Sequence, residues 1–206
     1  MPNNIEVELR GPLTREQFVA LEDILKKDGQ FKTVKKRILL DYSTYLPEEG
    51  IASRNRDIRL RVTNNIPEII VKLGKWGGEE HRQELSVATK PGEFDKLVRI
   101  FAALGFKRAT LCIRKSQVYD YKGIEFALVE VPRHSFYFEA EKMAAPGADE
   151  EKIKQEIRNV CLELGLNLFD DQRFFAYMDA LNQEANEVFD FANYQEDYFK
   201  NRFNLK

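Results

Sequence analysis

Ile5-Glu6-Val7-Glu8-Leu9-Arg10 alternates without a break, apolar at the odd positions and charged at the even ones. Successive side chains of a strand point to opposite faces, so this stretch reads as a strand with one apolar and one charged face. Asp57-Ile58-Arg59-Leu60-Arg61-Val62 repeats the pattern. Glu68-Ile69-Ile70-Val71-Lys72-Leu73 keeps it less cleanly, and Phe136-Tyr137-Phe138-Glu139-Ala140-Glu141 is a late copy. Further strands are expected over residues 34–41, 81–87, 111–121 and 124–131, which makes about eight in all.

Helical spacing lies between and after these strands. Residues 14–27 carry the stripe Phe18, Leu21, Ile24 and Leu25, with Thr14 as N-cap and Gly29 as the stop. Residues 94–104, 149–164 and 174–189 are expected as three more helices, the first two followed by Gly105 and Gly165. Pro146-Gly147 separates the strand-rich portion from the last two helices. The tail, residues 189–206, is rich in aromatic and charged residues and is expected to pack back on the body.

The charged faces decide the architecture. Glu6, Glu8 and Arg10 point one way, as do Arg59 with Arg61, Arg82 with Glu84, and Glu139 with Glu141. Amphipathic helices are available to cover the apolar faces, which turns the charged faces inward. Eight strands can close into a barrel with room for one ligand. The expected class is therefore α+β: a closed, eight-stranded antiparallel barrel with a charged interior and helices packed outside. Carboxylates at i and i+2 are about 6.5–7 Å apart on one face and can hold a hard cation with help from a third group. Arginines on neighbouring strands can fork onto phosphate oxygens.

Composition narrows the function classes. The chain has 206 residues, 32% of them charged, yet a net charge of only -2. No chain-wide basic field invites nucleic acid, so an anion binder must concentrate its cations locally. Cys112 and Cys161 are the two cysteines, too few for a disulfide framework or a zinc site, and read as buried thiols. No run of about 18 apolar residues is present and no signal segment is visible, so a cytoplasmic protein without a membrane partner is expected. His81 and His134 lack partners at metal or triad spacing and read as surface or turn residues. Trp76, beside Gly74, Gly77 and Gly78, reads as packing within a hairpin loop.

Taken in order, the motifs resemble the CYTH superfamily, the triphosphate tunnel metalloenzymes, which include class IV adenylyl cyclases, thiamine triphosphatases and inorganic tripolyphosphatases. Glu6-Val7-Glu8-Leu9-Arg10 is similar to the family's E-x-E-x-K strand, and Asp41-Tyr42-Ser43-Thr44 to its Y-D-T-P segment. Ile58-Arg59-Leu60-Arg61, Ile70-Val71-Lys72-Leu73, Arg82-Gln83-Glu84 and Phe138-Glu139-Ala140-Glu141 match its later basic and acidic strands. The resemblance covers roughly residues 5–182. It implies a tunnel domain over 1–182 and a separate helical, aromatic tail over 183–206.

The resemblance also implies the site. Glu6, Glu8, Glu139 and Glu141 would ligate Mg²⁺ or Mn²⁺. Arg59, Arg61, Lys72 and Arg82 would clamp the phosphates, and Glu84 would orient the basic groups. Arg10 stands where the family has lysine; a guanidinium binds phosphate but is a poor proton acceptor. The family's K-x-R strand is broken at Ile113-Arg114-Lys115-Ser116-Gln117, where a one-residue slip decides whether Arg114 or Lys115 faces the tunnel. The family's L-D-x-V acid has moved to Glu130, facing the other way, with Glu125 of opposite facing. Glu6, Glu8, Arg10 and Glu84 are thus the catalytic candidates, and Arg114 and Lys115 join the substrate-binding ones. The expected activity is metal-dependent hydrolysis of a triphosphate compound: ATP or another nucleoside triphosphate, tripolyphosphate or thiamine triphosphate. The alternatives are a cyclase making cyclic AMP from ATP and a polyphosphate or nucleotide binder without turnover. The chain is expected to act as a monomer or homodimer.

Overall fold

The computed structural model describes residues 5–46, 53–145 and 147–206, apart from the side chains of residues 80 and 81. Pro146 and the side chain of His81 therefore lie outside the described residues. The chain runs β1 (Ile5–Leu13), α1 (Arg15–Asp28), β2 (Gln30–Asp41), β3 (Arg56–Thr63), β4 (Ile66–Leu73) and β5 (Glu79–Ala88). It continues with α2 (Phe94–Ala103), β6 (Arg108–Tyr121), β7 (Ile124–Val131), β8 (Ser135–Ala144), α3 (Glu150–Glu163), α4 (Asp171–Glu184), β9 (Glu187–Asp190) and α5 (Tyr198–Phe203).

The strands are hydrogen-bonded in the order β2-β3-β4-β5-β1-β8-β7-β6-β9, and β2 also pairs with β6. That last pairing closes an eight-stranded antiparallel barrel, with β9 added at the outer end of β6. Register fixes which residues share a face. Glu6 lies opposite Arg82, Glu8 opposite Glu141, and Arg10 opposite Glu139. Lys72 lies opposite both Asp57 and Glu84, and Arg37 opposite Arg114. These charged positions all fall on the inner side.

Most of the hydrophobic core consequently sits outside the barrel, in two layers, while Val118, Ala127, Val129 and Tyr137 form a smaller apolar cluster on the inner face. Val7 and Leu9 of β1, Phe126 and Leu128 of β7 and Phe138 of β8 pack with Phe18, Leu21 and Leu25 of α1 and Ile157 and Cys161 of α3. Leu40 and Leu60 of β2 and β3 pack with Phe94, Leu97 and Phe101 of α2 and with Phe189, Phe199 and Leu205 of the tail. Between the two layers, Leu73 of β4 and Leu85 and Val87 of β5 remain exposed. Helices thus pack outside the barrel as expected, with these three side chains left uncovered.

Local sequence explains the helix ends. Thr14 caps α1 in a reciprocal box: Gln17 N donates to Thr14 Oγ1 at 3.2 Å, and Thr14 N donates to Gln17 Oε1 at 2.9 Å. Asp149 and Asp170 cap α3 and α4 by accepting from Lys152 N and Arg173 N. The last helix ends earlier than its spacing predicts: α4 stops at Glu184, and Glu187–Asp190 joins the sheet as β9. The tail is tied down by the buried Asp95 of α2. Its Oδ1 accepts from Tyr194 Oη at 2.9 Å and Phe199 N at 3.0 Å, and its Oδ2 from Lys200 N at 2.9 Å.

Gly11 sets how closely β1 approaches the segment before α4. A β-carbon at Gly11 would meet Asn167 O at 1.9 Å and the Phe138 ring at 2.5 Å. Next to it, Phe169 N donates to Arg10 O at 2.8 Å.

Replacing Asp95 by Ala leaves the buried Phe199 amide, the half-buried Lys200 amide and the Tyr194 hydroxyl without their acceptor. A loss of about 2–4 kcal/mol is expected, together with rapid proteolysis beyond residue 190. Limited proteolysis and thermal melts check this, and an unchanged tail would show that the apolar contacts alone hold it. Gly11→Ala is expected to cost at least about 1–3 kcal/mol by overpacking, read as a lower Tm.

Candidate functional site

Inside the barrel, a cavity of about 740 Å³ is lined by cations and carboxylates from most of the strands. Glu6, Glu8, Glu139 and Glu141 form its acidic side, and Lys35, Arg37, Arg59, Arg61 and Lys72 its basic side. It adjoins a smaller cavity of about 120 Å³, with Arg10, Arg37, Arg59, Arg61 and Glu139 lining both. Phe174, Tyr177, Met178 and Leu181 of α4 line the smaller cavity, so α4 lies across that end of the barrel.

Three carboxylates converge. Oxygen atoms of Glu6, Glu8 and Glu141 all lie within 4.8 Å of one another. Their environments pull them apart. Burial works to raise Glu6, but the Lys72 ammonium in hydrogen-bond contact outweighs it and holds the carboxyl at about 2. Burial pushes Glu8 up to about 7 against the pull of Arg10, with Glu139 and Glu6 adding to the rise. Burial and then the charges of Glu6, Glu8 and Glu139 push Glu141 up to about 9. Three carboxyls crowded together and buried are a place where positive charge would be strongly stabilised.

Arg10 is held by the site it helps to form. Its Nε and Nη2 donate to the two oxygens of Glu8 at 2.7 and 2.6 Å, and Nη1 donates to Gly77 O at 3.3 Å. Its guanidinium lies 5.2 Å from the centre of the Phe174 ring on α4. Glu139 stands 3.8 Å from Arg10 and apart from the trio. Glu84 stands 3.3 Å from Lys72, and Arg61 is paired with Glu68 at 2.9 Å.

A second charged group lies in the wall. Asp57, 0% exposed, accepts from Arg59 at 2.5 Å, Arg82 at 2.7 Å and Arg54 at 3.1 Å. Burial opposes its ionisation, but the Arg59, Arg82 and Arg54 guanidiniums hold it well below the usual carboxylate range. Arg54 also donates to Asp41 at 2.8 Å and stacks 4.4 Å from the Trp76 ring, which is buried in its loop. Neither Asp57 nor Arg54 was expected as a site residue. Asp57 could have been found from its parity, because it shares a face with Arg59 and Arg61. Arg54 lies in a loop with no periodicity to announce it.

Two expected phosphate ligands are corrected. Arg82 is only 1% exposed and does not line the cavity, because Asp57 draws its guanidinium into the wall. Lys115 is exposed and pairs across the sheet with Glu130 on the outer side, so Arg114 is the inward residue. Ser116 faces inward beside Arg114, and its register partner on β2 is Lys35. Lys35 and Arg37, which were not singled out in the sequence, therefore supply cations next to the broken K-x-R strand. Glu125 faces inward and pairs with Lys35 at 2.7 Å. His134 lies in the β7–β8 turn, 3.1 Å from Glu184. Cys112 and Cys161 are both buried; Cys112 lines the smaller cavity, and burial pushes its thiol up to about 11. Among the described residues, no helix is long and apolar enough to cross a membrane.

No family model matches the chain. It is 26% identical over 170 residues to the "Putative adenylate cyclase" of Methanocaldococcus jannaschii, covering 79% of this chain and 91% of that protein. A solved structure from Pyrococcus horikoshii superposes with a TM-score of 0.71 at 21% identity, covering 87% of this chain and 99% of that one. The "Putative adenylyl cyclase" from Hippeastrum, described as having a dominant triphosphatase activity, gives a TM-score of 0.55 at 15% identity over 82% of this chain and 90% of that one. The closed barrel, its inward charges and these likenesses give the chain the fold that its resemblance to the triphosphate tunnel proteins implied.

Proposed function

We propose that this chain is a metal-dependent phosphohydrolase acting on a triphosphate compound: tripolyphosphate, a nucleoside triphosphate or thiamine triphosphate. The observation that carries the reading is the placement of the Glu6, Glu8 and Glu141 trio in the same cavity as Arg59, Arg61 and Lys72. The trio fits Mg²⁺ or Mn²⁺ by its chemistry: hard oxygen donors, close together, with burial raising two of them, Glu8 and Glu141, above the usual carboxylate range. A divalent ion bound there would neutralise phosphate charge and polarise the bond that breaks. We assign its shell to the trio alone, since Glu139 is turned to Arg10.

The chain's own residues do the rest. Arg59 and Arg61 present guanidiniums to phosphate oxygens and stabilise the charge that develops on them. Asp57 tethers the Arg59 guanidinium through an ion pair. Lys72 keeps Glu6 ionised and is itself steadied by Glu84. Arg10 fixes both oxygens of Glu8, and, being permanently protonated, it positions that carboxyl and takes no proton. The name of the Methanocaldococcus jannaschii relative favours a second reading, in which a nucleoside triphosphate is attacked by its own ribose hydroxyl.

Product analysis by phosphorus NMR separates the two. Orthophosphate release from tripolyphosphate, ATP or thiamine triphosphate with Mg²⁺ or Mn²⁺ is the expected result. Pyrophosphate with cyclic AMP would replace it by the second reading, and binding without turnover would sink both. Glu6→Gln, Glu8→Gln and Glu141→Gln should each lower kcat by at least about a hundredfold; full activity in all three would remove the metal assignment.

Stability should follow pH in a defined way. Glu8 and Glu141, at about 7 and about 9 in the fold, keep protons that the unfolded chain releases near 4.5. Their contribution is complete below that value and is lost as pH rises through 7 and 9. In chelator, Tm should therefore fall from pH 5 to 9, and Mn²⁺ should restore it more at pH 9 than at pH 6. Glu6, held at about 2, adds no slope in this window. A double Glu8→Gln, Glu141→Gln variant should flatten the profile; a wild-type profile that is already flat would contradict the assignment.

A further inference from the structure

Nearly every cation that lines the barrel has an acid beside it. Arg10 has Glu8, Arg59 has Asp57, Arg61 has Glu68, Lys72 has Glu6 and Glu84, and Lys35 has Glu125. Arg37 and Arg114 differ: among the described residues, neither has a carboxylate within ion-pair distance. They are register partners on β2 and β6, both on the inner face. Arg114 uses Nη1 on Ile113 O at 2.8 Å and Nη2 on Asn186 Oδ1 at 3.0 Å, which are neutral acceptors. The buried Nε of Arg37 has no hydrogen-bond partner.

Two like charges held side by side in a partly buried wall repel each other and have lost part of their hydration. A fold that pairs its other interior cations leaves these two for something that arrives with its own negative charge. Both line the smaller cavity with Ser116, Tyr137 and residues of α4; its two carboxylates, Asp41 and Glu139, are themselves turned to Arg54 and Arg10. At about 120 Å³ the space suits a compact group; an apolar cavity of about 150 Å³ accepts a single benzene ring. A tetrahedral oxyanion fits these dimensions and a nucleoside does not.

From this we infer that Arg37 and Arg114 form a phosphate-dianion subsite at the α4 end of the barrel, which receives the terminal phosphoryl group of the substrate. The inference rests on the triphosphate reading and deepens it by giving the substrate a direction. The terminal phosphate points toward α4, and any organic end stays in the wide cavity, beyond the carboxylate trio. Arg37 is the new element. It does the work of the second basic residue missing from the β6 strand, from the neighbouring strand.

The test uses the full chain and two probes, inorganic orthophosphate and tripolyphosphate. Isothermal titration with orthophosphate in chelator should give a single site. Arg37→Gln and Arg114→Gln should each weaken it at least tenfold, and Arg37→Lys should recover part of the loss. Arg37→Gln relieves repulsion, so its Tm should not fall; a marked fall would make Arg37 a structural residue and overturn the assignment. Mn²⁺ binding to the carboxylates should be the same in wild type and variants. With tripolyphosphate, Arg37→Gln should raise the dissociation constant tenfold or more, and orthophosphate should compete. If orthophosphate binding is lost in the variants but tripolyphosphate binding is not, the subsite holds free phosphate only, and its place in substrate binding is overturned. If the protein turns over no triphosphate yet orthophosphate binding still depends on Arg37, the proposed activity fails while the subsite stands. Turnover with orthophosphate affinity unchanged in both variants is the opposite result, and it removes the subsite alone.

Discussion

Charge placed inside a closed sheet must be matched there, and this requirement shapes the rest of the molecule. An uncompensated ion in a protein interior costs several kcal/mol, more than most single contacts return. Glu8 is therefore fastened by two bonds to Arg10, and Asp57 by three guanidiniums. With most of the inner face committed to ions, most apolar burial happens on the outer face. Two helical layers provide it, α1 with α3 on one side and α2 with the tail on the other. The helices are the other half of a core whose first half is the outside of a barrel.

Matching is deliberately incomplete at two places along the cavity, with opposite sign. The trio of Glu6, Glu8 and Glu141 crowds three carboxyls, and burial with their mutual repulsion raises Glu8 and Glu141. Among the described residues, Arg37 and Arg114 have no carboxylate within ion-pair distance. A ligand that brings both a metal ion and phosphate groups corrects both imbalances at once, and this argues for a metal–phosphate complex more directly than either feature alone. Arg10 and Arg59 lie between the two regions, each tethered to a carboxylate that fixes where its guanidinium can reach.

Much of this was legible in the linear sequence because a period of two is hard to counterfeit. Residues 5–10 and 57–62 announced strands with one charged face, and Thr14 announced the start of a helix. What escaped was whatever depends on pairing across strands. Arg82 has the right parity for the cavity, yet Asp57 on another strand takes it into the wall. Whether Arg114 or Lys115 faced inward was undecidable until register was known. The end of α4 was misplaced because Asn186–Phe189 continues an apolar spacing that suits helix and strand alike. Asp95, which ties down the tail, is an unremarkable first-turn acid until its three donors arrive from about a hundred residues away.

The register pair of Lys35 and Ser116 has a consequence for how such proteins diverge. A barrel wall is a two-dimensional lattice, and each inward spot has a neighbour on the adjacent strand at nearly the same height. Electrostatic potential depends on where a charge stands and not on which segment carries it. A cation can therefore migrate sideways, lost from one strand and regained on the next, with little change in the field a ligand meets. Linear signatures erode under such exchanges while the potential map persists. For this wall, comparison of charge positions in space is the more durable measure of kinship.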